Sequence, residues 1–426
     1  FHRHYRANAY TGAKRLKYNS IRTQVVVIAL GILILLGLFW VNWQFTRNNP
    51  GGNDFLVHYI GTRSFIFEGL SPYSDEVALR IQTAAYGHPA QGVEHELRVA
   101  YPLYSIIIFA PFSLVRDYEL ARAVWMTVLE LSLVGMCFIS FALFNWKPSL
   151  IVQGIVLLFS LLWYHAVRGV INGNAVILIS LMLTVVFLLL KNGNDQPAGI
   201  LLALTTIKPH LVVLLIPLVI FWAWRSKRGY FLAWFLGSLV ALLGFAWILI
   251  PDWIIQNIRE IIRYPGYNPA GTLAEALVGW MPGLEIQLKW GLAILLGLVL
   301  LYEWSQVKES KFNRFLWTAM LTLTISQWIG IQTDPGNFIL LFPALILVLS
   351  VVCQKWEGQE LWISGSVLGI LLIGLWVLFI ATIQHSYQPV QSPVMFIPLP
   401  AFCLLGLYWV KWWVVGVPAP EWNTEL

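Results

Sequence analysis

The chain has 426 residues, of which 58% are hydrophobic and only 11% are charged. A soluble domain carries about 25% charged residues, so this chain cannot clothe a water-facing surface, and soluble-enzyme classes are excluded. Nucleic acid is not an expected partner. The 15% aromatic content, with 22 Trp, suits bilayer interfaces, where an apolar ring carries a polar edge. The net charge of +6 matters through its distribution between loops. Cys137, Cys353 and Cys403 each lie in an apolar run, with neither metal-ligand spacing nor the even number of a disulfide framework.

In chain order, the N-terminal tail is basic, with Arg3, Arg6, Lys14, Arg15, Lys17 and Arg22. The first apolar run, Val25 to Val41, is too long for a cleavable signal and lacks a small-residue cleavage site. A span needs about 20 apolar residues. That measure gives spans near 24–45, 123–144, 149–165, 174–190, 230–250, 287–303, 315–331, 337–353, 361–383 and 396–415. The stretch 197–224 is too long for one span and is broken by Lys208-Pro209. It reads as a hairpin of 197–207 and 210–224, which brings the total to about twelve.

Residues 102–115 are apolar but short, and carry Pro102 and Pro111; they read as a re-entrant or interfacial segment. Were they to cross, Arg225, Lys227 and Arg228 would fall outside, against the tendency of basic residues to stay in the cytoplasm. Both termini are therefore expected to be cytoplasmic. The expected fold is an all-α polytopic bundle in the cell membrane, a single domain over 1–426. Two outer loops, 46–121 and 251–286, carry further helices.

On this topology polar side chains collect at the outer face. Asp54 follows the first span in Gly51-Gly52-Asn53-Asp54, and Arg168, Asn172 and Asn174 lie between the third and fourth spans. Lys208 and His210 sit at the hairpin tip, Arg259, Arg263 and Tyr264 in the second loop, Asp334 and Asn337 after the ninth span, and His385 before the last. Lys208 stands between Leu204-Thr205-Thr206-Ile207 and Leu211-Val212-Val213. A lysine in such surroundings needs an anion or carboxylate partner. Plainer roles stand beside these: Asp54 can cap a turn and Lys208 can snorkel. His58, one helical turn from Asp54, either orients it or faces solvent, and Glu130 either pairs with another span or lines a cavity. No Asp-x-Asp pair or close His cluster occurs, so neither metal nor cofactor is expected.

Several of these segments resemble a family. Asp54-x4-Tyr59-x-Gly61 followed by Glu68-Gly69-Leu70-Ser71-Pro72-Tyr73 is similar to the first-loop pattern of GT-C membrane glycosyltransferases. Tyr101-Pro102-Leu103 with Pro111 resembles their "YPP…P" segment, and Gly173-Asn174, within Val170-Ile171-Asn172-Gly173-Asn174-Ala175, resembles the "GQxN" stretch that opens a span, with its glutamine replaced by Asn172 one residue earlier or not at all. Ala198-Gly199-Ile200-Leu201-Leu202-Ala203-Leu204 through Lys208-Pro209 resembles their "AGxLLALA…KP" hairpin. Together these resemble the GT87 group of polyprenyl-phosphate-mannose-dependent mannosyltransferases over roughly residues 50–225. Where that group often shows a "SPxSWxHH"-like run, this chain has Thr333-Asp334-Pro335-Gly336-Asn337-Phe338.

The resemblance implies a GT-C-like bundle that transfers a hexose, mannose first, from a polyprenyl-phosphate sugar to a hydroxyl on a lipid or glycan acceptor at the outer face. An acceptor hydroxyl needs one carboxylate to take its proton, and Asp54 is the candidate. The leaving phosphate needs neutralising charge more than a proton: Lys208 leads, with Arg168, Arg263 and His210 as helpers. Direct displacement inverts the anomeric centre. His58, Tyr59, Tyr73, Tyr101, Asn172, Asn174, Asp334 and Asn337 are candidates for the sugar and acceptor walls, with Tyr104 beside them. Membrane lipids, and protein partners in the membrane, complete the expected contacts. Two other classes stay open: a non-catalytic subunit on a decayed transferase scaffold, and a transporter of lipid-linked saccharides.

Overall fold

The computed structural model describes residues 4–92, 94–267, 273–278, 281–307, 311–329, 334–383 and 391–416. Arg3, Thr333 and His385 lie outside the described residues. Those residues form α-helices and short 3-10 turns and no strand, so the all-helical expectation stands.

The helices run α1 (His4–Asn48), α2 (Asn53–Glu68), α3 (Asp75–Tyr86), α4 (Ile106–Ser113), α5 (Tyr118–Leu143), α6 (Leu150–Leu162), α7 (Tyr164–Asn172), α8 (Val176–Lys191) and α9 (Asp195–Thr205). They continue as α10 (Leu215–Arg225), α11 (Gly229–Leu249), α12 (Trp253–Tyr267), α13 (Leu273–Val278), α14 (Glu285–Ser305), α15 (Phe312–Ser326), α16 (Phe342–Lys355), α17 (Glu360–Thr382) and α18 (Pro398–Gly416).

Seven helical stretches among the described residues are long and apolar enough to cross a bilayer, and α6 with α7 makes up to eight. The protein is therefore a multi-pass membrane protein. The difference from twelve arises where apolar runs break. Trp163 is extended (φ −68°, ψ 155°), and α7 leaves α6 at an angle of 48°. The Lys208-Pro209 break divides α9 from α10, because proline cannot donate to the helix and its ring crowds the preceding turn. The eight residues of α4 span only about 12 Å, far less than a bilayer core of about 30 Å.

Around the centre, α5 packs between α1 and α8, α9 between α8 and α11, and α18 against α15 and α16. The apolar window ending in α16 is 94% buried, whereas only 11% of the α11 and α14 windows is buried. Apolar side chains on such outer helices face lipid without penalty. Gly199 lets α9 touch the α11 backbone: a Cβ there would come within 2.7 Å of the Phe235 amide nitrogen. Close approach through small residues is how membrane helices gain packing contact.

Glu130 accepts from Asn42 Nδ2 at 2.6 Å, joining α5 to α1. A charged cluster at the other end of the bundle from the site below ties three helices: Glu303 of α14 takes Arg314 of α15 and, at 2.6 Å, Lys411 of α18.

Candidate functional site

The site grows from four turns brought to one end of the bundle. The first is the entry to α2. Gly51 and Gly52 both have positive φ (130° and 78°), a conformation glycine adopts without the cost of a Cβ. Neither α2 terminus has a side-chain cap, so Asp54 is not a capping residue. Its carboxylate makes no hydrogen bond or ion pair among the described residues, but lies within electrostatic reach of Lys208, Asp334 and Arg168. Burial raises its pKa, and Lys208 opposes that rise only in part.

The second turn is the α9–α10 break. Lys208 is 6% exposed, too buried for a snorkelling role. Its ammonium donates to Asn174 Oδ1 at 2.8 Å and Asn337 Oδ1 at 2.9 Å. Both partners are neutral amides, so the positive charge is held in place without being cancelled. Burial pulls its pKa down to about 8, the two acids Asp54 and Asp334 acting in the other direction.

The third turn, between α7 and α8, supplies Asn174, whose Oδ1 also accepts the Val176 amide at 3.0 Å. Gly173 just before it has φ +70°, and a Cβ there would meet Phe55 Cβ of α2 at 2.5 Å. The fourth is the 3-10 turn Pro335–Leu341. Asp334 caps it by accepting the Gly336 amide and binds Arg168 Nη1, both at 2.5 Å. Burial alone would raise the Asp334 pKa, but Arg168 and the Gly336 amide hold it below the usual carboxylate range.

Arg168 and Asp334 thus neutralise one another. Asp54 and Lys208 are left as opposite charges that do not pair. Tyr101 is near both: the Lys208 ammonium is 5.7 Å from its ring, it lies within electrostatic reach of Asp54, and the His58 ring is 4.0 Å away. His58 neither orients Asp54 nor faces solvent. It is stacked on Phe109 at 4.3 Å, and burial followed by Lys208 lowers its pKa to about 3, keeping it neutral. His58, Tyr73 and Tyr101 line a hollow with Thr62 and Ser105.

Other expected residues sit elsewhere. Tyr59 is 4% exposed, and its hydroxyl donates to the Val115 and Arg116 carbonyls; it pins α2 to the α4–α5 turn and is not a sugar wall. Tyr104 is likewise committed, donating to the Thr206 carbonyl at 3.0 Å. Tyr73 spends its hydroxyl on the Tyr101 carbonyl at 2.8 Å while its ring faces the hollow. Arg263 is outside the site, paired with Asp75 at 3.6 Å and Glu96 at 3.7 Å. His210 shares the Pro209–Leu211 turn next to Lys208, and Asn172 closes α7 half-buried. Asn337 and Asn174 face Lys208, so they seat a cation.

Three supporting residues were not singled out from the sequence. Arg122 of α5 is buried and donates to the Asn49 carbonyl at 2.7 Å and the Ile171 carbonyl at 2.9 Å. Tyr118 donates to the Gly51 carbonyl at 2.8 Å. Together they clamp the α1–α2 turn, and with it Asp54, to the end of α7. Asn257 of α12 donates to the Ala100 and Tyr101 carbonyls. A lone arginine near the mouth of the second apolar run was the signal for Arg122. Among the described residues no three His, Cys, Asp or Glu side chains converge as metal ligands do.

With the geometry in view, the family model of glycosyltransferase family 87 matches residues 100–327. The chain belongs to glycosyltransferase family 87. Family 87 membership makes a sugar donor and a lipid or glycan acceptor in a membrane the expected substrates. The matched stretch contains Tyr101, Arg122, Arg168, Asn174 and Lys208, whereas Asp54 precedes it and Asp334 and Asn337 follow it. No curated protein and no solved structure matches the chain.

Proposed function

We propose that this family 87 protein transfers a hexose, mannose first, from a polyprenyl-phosphate sugar to a hydroxyl of a lipid or glycan acceptor. The observation that carries the reading is the unpaired couple of Asp54 and Lys208 held apart at one end of the bundle. The acceptor oxygen attacks the anomeric carbon and its proton passes to Asp54. The bond from that carbon to the phosphate oxygen breaks, and the phosphate leaves with the electron pair toward Lys208. Attack opposite the leaving group inverts the centre.

Each role has a physical basis. A base with a raised pKa is better matched to neutral pH than an ordinary carboxylate. A buried ammonium with neutral partners gains most from a new anion, because a charge-assisted bond is roughly twice as strong as a neutral one. Tyr101, near both, offers its ring to the sugar. Arg168 serves through Asp334, as a neutral pair that fixes the Pro335–Leu341 turn.

In this reading the site lies at the outer face of the cell membrane, both termini are cytoplasmic, and about twelve crossings arise when the short apolar helices α8, α9, α10 and α15 are counted with the long ones. The basic N-terminal tail and Arg225, Lys227 and Arg228 support that orientation. The deciding experiment is transfer of labelled sugar from a polyprenyl-phosphate donor by membranes bearing the chain. Asp54→Asn should lower kcat on the order of 10²- to 10⁴-fold, the usual contribution of a general base, with expression and melting temperature kept. Full transfer by that variant would remove Asp54 from the role; no transfer by the parent with any polyprenyl-phosphate hexose would remove the reaction.

A further inference from the structure

Helix α12 turns its polar side toward the protein and its apolar side outward. Its buried positions are Trp253, Asn257 and Glu260. Besides the Asn257 bonds to Ala100 and Tyr101, Glu260 takes Arg98 Nε at 2.6 Å, and Gln256 Oε1 accepts the Ser71 hydroxyl at 2.6 Å. The polar face is therefore consumed by the α2–α3 turn and the loop that carries Tyr101.

What is left is a row of isoleucines. Ile254, Ile255, Ile258, Ile261 and Ile262 are between 45% and 74% exposed, and at helical spacing they share one face about 120° wide. Arg259 and Arg263 lie between that face and the docked one. The helix also starts only three residues after α11 ends, and α11 is a span whose apolar window is 11% buried. The isoleucine face thus follows in the chain directly on a span that is largely unburied.

We propose that α12 lies along the bilayer interface on the side of the site. Its isoleucines sit among acyl chains and Arg259 at the level of the lipid phosphates. An apolar face edged by arginines is the pattern of a helix that lies in the interface plane, and arginine stems reach from such a face to the headgroups. Through Asn257 the helix fixes the main chain of Tyr101 relative to the lipid surface. This contact does not depend on sugar transfer.

The test uses the full chain in nanodiscs containing phosphatidylglycerol, with bimane attached at Ile258→Cys or Ile262→Cys. The three native cysteines are buried. Each variant is first checked for a monodisperse elution profile. Lipids with a doxyl group near the headgroup should quench both labels several-fold more than aqueous iodide does. Iodide quenching as strong as that of free bimane would overturn the proposal by leaving the face in water. Protection from both quenchers would overturn it as well, since a second copy or a protein partner would then cover the face.

Discussion

The Lys208 ammonium donates to Asn337 Oδ1 at 2.9 Å, joining two turns 129 residues apart in the chain. That bond, with its counterpart to Asn174, explains why Lys208 does not fall onto Asp54. It also makes the seat of the cation separable from the cation itself.

Asn337→Asp is expected to be more damaging than Asn337→Ala. A carboxylate there would pair with Lys208 and repel a phosphate, so kcat/KM for the donor should fall further than the roughly 10- to 150-fold loss expected from one bond to a charged group, worth about 1.5–3 kcal/mol. Steady-state kinetics with a polyprenyl-phosphate hexose reads the order of the two variants. An Asn337→Asp protein as active as the parent would show that the Lys208 charge is not needed.

The pH profile should have two limbs. Below the raised pKa of Asp54 the carboxyl is protonated and cannot take a proton, so kcat/KM rises with pH through a value above the usual carboxylate range. Lys208 loses its proton as pH passes about 8, so kcat/KM falls on the alkaline side. Because arginine stays charged, Lys208→Arg should remove the alkaline limb from whatever activity survives. If that limb persists near pH 8 in the variant, another group owns it.

Gly173→Ala should destabilise the fold without touching a charged group. The left-handed backbone costs a non-glycine residue about 1–2 kcal/mol, and the new Cβ would stand 2.5 Å from Phe55 Cβ, so α2 must shift. A lower melting temperature in detergent is the expected readout. An unchanged melting temperature would mean that α2 is not packed on this turn.

Arg263→Gln separates two ideas about cations in the second loop. Arg263 is half exposed and faces Asp75 and Glu96, and surface pairs of this kind are worth less than about 1 kcal/mol. Donor KM should hardly move. A large rise in KM would return Arg263 to the phosphate site.

Composition and residue order settled a good part of this protein. Too few charges for a wetted surface place it in a membrane, because no arrangement of such a chain could shield its apolar area. A lysine inside an apolar run and a proline behind it mark a break and a buried cation in one stroke, since both break the rules of a lipid-facing helix.

Folding decided the pairings. Nothing in local spacing distinguishes Asp334 as the mate of Arg168 from Asp54 as that mate, because the choice depends on how α7 packs on the Pro335–Leu341 turn. Tyr59 and Tyr101 share an aromatic ring and a hydroxyl, yet one is spent on main-chain carbonyls and the other borders the site. Apolar run length likewise did not reveal that the run over α6 and α7 bends at Trp163, for a kink is set by neighbouring helices as much as by the residues that make it. Side-chain chemistry is local, but partners come from distant turns, and only the packed bundle chooses among them.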